Sequence, residues 1–292
     1  MFLQLVINGI IAGSVYSLIA LSFALIYQIT RFFHFAHGAV YTFGAYFAYL
    51  FFTQLNIDRW LAFPLACIAT MLIGVTLEVA IYKPMRKRKA TDLTLLIASL
   101  GLYTVLQNMI SIIWGDDTKT MRVGEVVEGN EFFGTRITDI QIAIIITSIL
   151  LVTLLALVLT KTKFGKTLRA LANDPDLAKL SGIDSDRYIM YAFAIGSFLA
   201  AIAAIMISFD TDMTPTMGFN ALVMGVIAVI VGGIGSLPGA TVGGLFIGLA
   251  QNLGVWQLPS KWQDTIAFVI LILFLLFRPY GILGKKLKKA QI

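Results

Sequence analysis

The sequence predicts an all-α polytopic membrane protein with about eight or nine transmembrane helices, some broken or re-entrant, forming a single domain over residues 1–292. Two observations predict this. Of the 292 residues 58% are hydrophobic and only 13% charged, about half the charged share of a soluble domain, and the mean hydropathy is +0.86. The apolar residues also fall into long runs, at 3–28, 36–54, 60–82, 93–114, 140–160, 187–209, 218–235, 239–254 and 262–278. A span needs about 20 apolar residues, and most runs reach that. A chain this apolar has lipid as its solvent.

The first run begins at Phe2 with no basic stretch before it, so it reads as a span and not as a cleavable leader. The seventh and eighth runs are short and glycine-rich, and are either two spans or one re-entrant hairpin. Orientation follows the basic loops. KPMRKRK, Lys83 to Lys89, carries five positive charges and no negative ones; Lys161 to Arg187 carries six positive and four negative; the tail GKKLKKA carries four positive. All three are expected to face the cytoplasm, with the C-terminus. The loop from Gly115 to Asp139 holds three basic and six acidic residues and reads as external. The net charge of +6 sits in these clusters, so nucleic acid is not an expected partner. The single cysteine, Cys67, rules out an internal disulfide.

The connection at about 161–187 contains Gly165-Lys166-Thr167. A phosphate loop needs a further glycine five residues before Gly165, where Thr160 stands, so ATP binding is not expected. Further on, Asp174 suits an N-cap, Pro175 the first helical position and Gly182 the position past the end. The spacing predicts a helix over Pro175–Ser181 with Leu177 and Leu180 on one side. Two readings stay open: an interfacial helix packed on its own protein, or a knob offered to a cytoplasmic partner.

Only Glu78 is an ionisable group clearly within a run, about one turn from the basic loop near Lys83; at that depth it can snorkel or pair. No span carries a central Asp, Lys or Arg, which argues against proton coupling. Uncharged polar groups are present instead, among them Asn8, Ser17, Gln107, Asn108, Gln251 and Asn252. They either bridge helices or, at Gln107 and Asn108, line a polar path. Six glycines and Pro238 interrupt GGIGSLPGATVGG, Gly232 to Gly244, placing Gly232, Gly233 and Gly235 at a break. Broken helices persist at membrane depth only in protein or beside a cavity. HGAVYTFGA, from His37, aligns weakly with PGATVGGLF, from Pro238, as paired interruptions in an inverted-repeat transporter would. His34 and His37, three apart, are two ligands where zinc needs three or four; no metal or other cofactor is expected. His37-Gly38 reads instead as a helix entrance, the imidazole bonding backbone groups freed at the break, and as a candidate for the path.

Several of these stretches together resemble the branched-chain amino acid permeases of ATP-binding-cassette importers, the LivH type. HFAHG, His34 to Gly38, matches the family's Asn-Phe-Ala-His-Gly; EVAIYKPMR, Glu78 to Arg86, its Glu-x-x-x-Tyr-basic-Pro-x-Arg; GLYTVLQN, Gly101 to Asn108, its Gly-Leu…Leu-Gln-Asn. RALANDPDLAKLSGID, Arg169 to Asp184, is similar to its coupling segment, Gly232 to Ala240 to its Gly-Gly-x-Gly-Ser block, and RPYGILG, Arg278 to Gly284, to its terminus. His34 departs from the usual Asn, which bears on local hydrogen bonding or substrate fit. The resemblance implies a bacterial inner-membrane importer subunit without its own ATPase site, for branched-chain or other apolar amino acids. It also implies the partners: a related second permease, two cytoplasmic ABC ATPase subunits and an extracytoplasmic substrate-binding protein. ATPase coupling would fall to Asp174, Pro175, Leu177, Leu180 and Gly182. Urea and short-amide permeases look similar, and a stand-alone channel or secondary transporter is the rival from another class.

Overall fold

A computed structural model of the chain describes residues 1–122, 129–132 and 134–284, with Phe132 described in its backbone alone. It is helical nearly throughout. The helices are α1 (Phe2–Thr30), α2 (Ala36–Ala48, continued by a π-helix over Tyr49–Gln54), α3 (Arg59–Leu77), α4 (Lys83–Lys87), α5 (Asp92–Trp114), α6 (Asp139–Lys161), α7 (Lys163–Asn173), α8 (Pro175–Leu180), α9 (Ser185–Asp210), α10 (Met217–Gly232), α11 (Leu237–Gly254) and α12 (Gln263–Phe277). A π turn over Glu78–Tyr82 joins α3 to α4 in one continuous rod. Between α5 and α6 a short antiparallel hairpin pairs β1 (Asn130–Phe132) with β2 (Thr135–Ile137), Glu131 facing Arg136.

Among the described residues six helices are long and apolar enough to cross a membrane, or seven if α10 and α11, bent by 116° at their junction, count as one span. This is fewer than the eight or nine expected. The reason is that apolar runs also form where a segment is surrounded by protein. The second run folds as α2 and its π continuation and is buried along α2, and the seventh and eighth runs are the bent pair.

α1 sits at the centre, apolar on all sides, as a fully surrounded helix is; α6, α9, α10 and α11 pack around it. Its seam with α11 runs antiparallel through small residues. A Cβ on Gly13 would lie 2.9 Å from the Leu245 Cα, and one on Gly248 2.3 Å from the Gly13 nitrogen. Such spacing lets backbones approach and replaces the hydrophobic drive that lipid removes. Ser17 seals the seam, its hydroxyl donating to the Thr241 carbonyl at 2.8 Å. By contrast α5, α6 and α12 expose most of their length, as helices facing hydrocarbon do. Local signals set the starts: α6 opens on a capping box of Thr138 and Gln141, and Thr91 caps α5.

The loops sort to two ends. At one, Gln4 bonds the backbone of Arg136 and Arg122 bonds Asp212. At the other, Arg31 donates to the Ala172 carbonyl and Lys83 meets Asp186. The acidic loop and the two basic loops thus lie at opposite ends. The basic tail from Lys285 to Ala290 lies outside the described residues.

Candidate functional site: the α8 hairpin and the buried polar cluster

The helix α8 ends one residue earlier than the capping pattern predicts, at Leu180. Asp174 caps it, its carboxylate accepting from the Asp176 and Leu177 amides at 3.0 and 2.9 Å. Pro175 occupies the first turn, where a missing N–H costs nothing. Gly182 terminates it at φ +80°, a conformation only glycine takes without strain, and its amide reaches the Lys179 carbonyl at 2.9 Å. Ala178 is buried against the protein, whereas Leu177 and Leu180 are 61% and 85% exposed. The two leucines thus project from the capped turn, away from the protein's own interior. The base of the hairpin is fixed by Arg169, which donates to the Leu159 carbonyl, and by Arg31 at Ala172.

Beside the hairpin lies a cleft of about 650 Å³ lined by Arg86, Lys87, Pro175, Lys179, Ile183 and Asp186, among others. Behind it Glu78 is completely buried. Its partner is Arg86, which grips both carboxylate oxygens, one at 2.9 Å. Lys83 turns instead to Asp186, at 3.4 Å, and Arg86 also reaches Asp186, at 3.6 Å. Residues eight apart lie roughly 80° apart around an α-helix. The π turn from Glu78 to Tyr82 lowers the rotation per residue and brings Arg86 back over Glu78. The sequence contained no signal for that π turn, nor for Asp186.

The histidines are buried in the same region. They do not share a helix face: His34 precedes α2, and His37 lies in its first turn. Nor do the rings bond backbone. His34 Nδ1 is 3.0 Å from the Tyr82 hydroxyl and His37 Nε2 is 2.8 Å from the Ser22 hydroxyl. The backbone of the α1–α2 link is held by Ser99, whose Oγ accepts from the Phe35 amide at 3.0 Å and donates to the Phe33 carbonyl at 3.1 Å. Gly38 sits where α2 meets α10, and a Cβ there would lie 2.6 Å from the Gly218 carbonyl oxygen.

At the second break the last described residues fold back. The Ile282 and Leu283 amides donate to the Val231 and Gly232 carbonyls, each at 2.9 Å. Gly233, at φ +118°, lies against Gly284, and Gly281 against Gly233. Thus RPYGILG and the glycine block, far apart in sequence, form one structure. Gly232 abuts Gly239, and Gly235 is open, with no atom within 4 Å of a Cβ placed there. Gln107 and Asn108 lie elsewhere, on α5, which packs on α2. Asn108 is exposed and donates to its own helix at Thr104; Gln107 is half-buried without a hydrogen bond among the described residues. The remaining polar residues bridge or back-bond, as with Gln251, which reaches the Gln263 carbonyl at 3.1 Å.

A family model described as the permease component of the branched-chain amino acid transport system matches residues 5–275. The chain belongs to this family. BraD of Pseudomonas aeruginosa, a high-affinity branched-chain amino acid transport system permease protein, is 35% identical across 97% of this chain and 96% of its own. LivH of Salmonella typhimurium, described in the same words, is also 35% identical, across 97% and 96%. In fold, the chain is similar to PsaBC from Streptococcus pneumoniae in complex with Fab. That match has a TM-score of 0.54 and 15% identity, and covers 96% of this chain and 93% of that one. The matched range takes in every helix up to α12, so this permease is a multi-pass membrane protein from end to end.

Proposed function

We propose that the chain is the transmembrane permease subunit of an ABC importer for branched-chain or other apolar amino acids, working as one domain in the cytoplasmic membrane. The family match over residues 5–275 carries this reading. The basic end of the bundle, with the C-terminus, faces the cytoplasm, as positive-inside bias requires. There α8 seats Leu177 and Leu180 in a groove of an ATPase subunit, a helix-in-groove contact. Closure of the two ATPase subunits on ATP displaces α8 and switches the membrane helices between outward-open and inward-open. An extracytoplasmic binding protein delivers the solute, which passes between this chain and a related permease near α5 and the two breaks. The chain performs no covalent chemistry; the energy enters through α8.

The test is reconstitution of the complete transporter in proteoliposomes with Leu177→Asp and Leu180→Asp combined. Membrane insertion stays intact, and ATP-driven leucine uptake falls by roughly tenfold or more, as loss of apolar anchors at an interface centre entails. Normal ATP-driven uptake by this variant overturns the coupling role.

A further inference from the structure

α8 packs on its neighbours α7 and α9, and across the cleft from it stands the end of α4. What reaches α4 beside that gap is charge from the start of α9, on which α8 packs. Asp186, in the first turn of α9, directly follows the hairpin and lies 3.4 Å from Lys83 and 3.6 Å from Arg86. Arg86 in turn holds the buried Glu78 with both ends of its guanidinium. A buried carboxylate stripped of its cation is strongly unfavourable, so Glu78 and Arg86 move together. Tyr82, one turn from Glu78 in the same π segment, carries the connection to His34 at 3.0 Å, and the His34 ring packs on Phe193 of α9 and on His37. The Nε2 of His34 and Nδ1 of His37 are buried with no hydrogen-bond partner among the described residues. Such atoms call for an explanation in a settled interior; here they give the cluster hydrogen-bonding capacity for a second arrangement.

Resting on the coupling reading above, we infer that Asp186 is a positioning residue. It locks the α8 hairpin to α4 as one body, so that a displacement of α8 is carried through Arg86, Glu78, Tyr82 and His34 to the link between α1 and α2.

The experiment uses the complete transporter in proteoliposomes, with Cys67→Ala to remove the native thiol. Spin labels replace Lys87 and Lys179 on either side of the cleft; a second pair replaces Lys179 and Asp117, at opposite ends of the bundle. With Asp186 present, ATP with vanadate shifts the Lys179–Asp117 distance and leaves the Lys87–Lys179 distance unchanged. In Asp186→Asn the same nucleotide shifts the Lys87–Lys179 distance, because α8 then moves alone, and Asp186→Glu restores the wild-type response. A residue that only stabilises the fold alters both nucleotide states alike. A nucleotide-dependent Lys87–Lys179 shift in the wild type, or none in Asp186→Asn, overturns this inference and leaves the coupling role standing. No shift in the Lys179–Asp117 pair of the wild type overturns both.

Discussion

The chain breaks its helices twice inside the bundle, and the two breaks are held in opposite ways. Between α1 and α2 the freed backbone groups and one ring nitrogen of each histidine are met by side chains: Ser99 on the link, Ser22 on His37, Tyr82 on His34. Between α10 and α11 the freed carbonyls are met by the backbone amides of Ile282 and Leu283, brought in by glycine-on-glycine contacts. Both satisfy the rule that buried backbone groups need partners within the protein. The first solution leaves room for alternative partners, since a hydroxyl or imidazole can rotate to another neighbour. The second fixes backbone against backbone and has one geometry.

If that contrast is right, the glycine-held break is the more fragile. Gly232→Ala places a Cβ 1.9 Å from the Gly239 carbonyl oxygen, where neither backbone can yield. The expected cost is about 3 kcal/mol or more, seen as loss of folded protein in detergent thermal melts. Gly235→Ala, in the same break but with open space around it, costs only about 1–2 kcal/mol from its φ of +87°. Equal losses in the two variants would remove the distinction between packing and conformation.

The side-chain-held break should yield by degrees. His37→Ala removes the Ser22 bond and opens a buried void, for about 2–3 kcal/mol. His34→Asn keeps an acceptor for the Tyr82 hydroxyl and should cost less than about 1.5 kcal/mol. If it costs as much as Gly232→Ala in the same melts, the first break is no more adaptable than the second.

The smallest effect is a control remote from both breaks. Asp212 accepts a hydrogen bond from Arg122 at 2.6 Å. That bond, opposed in part by desolvation and aided by the Arg122 charge, holds its carboxyl below the usual range. A depressed value in the folded state means the stabilisation is present above the unfolded value, about 3.9, and is lost as pH falls through the lower, folded one. Infrared or NMR titration should find the Asp212 midpoint below the ordinary aspartate value. Protonation at the ordinary value would show the pair to be idle.

What the sequence revealed and what it concealed divide along local and distant interactions. Asp174, Pro175 and Gly182 announced α8 because a cap is built from adjacent residues, and its end moved by one position only. The apolar runs located the helices, yet they overcounted spans, since Ala36–Gln54 is apolar for protein neighbours. Glu78 was visible as the one charge in a run, able to snorkel or pair, but its partner was not legible, because only the π turn swings Arg86 into line. Ser22, Ser99 and Asp186 left no mark, being brought in from other helices. Gly233 and Gly281 were separately conspicuous; that they touch is a tertiary fact.

The donors that complete the α10–α11 bend, Ile282 and Leu283, are nearly the last described residues of the chain. A ribosome feeding the membrane from the N-terminus therefore delivers α10 and α11 well before the groups that finish their junction. Until Ile282 and Leu283 emerge, the Val231 and Gly232 carbonyls at that junction wait without their amides. Truncation just before Arg278 would thus remove the partners of carbonyls some 45 residues upstream of the cut.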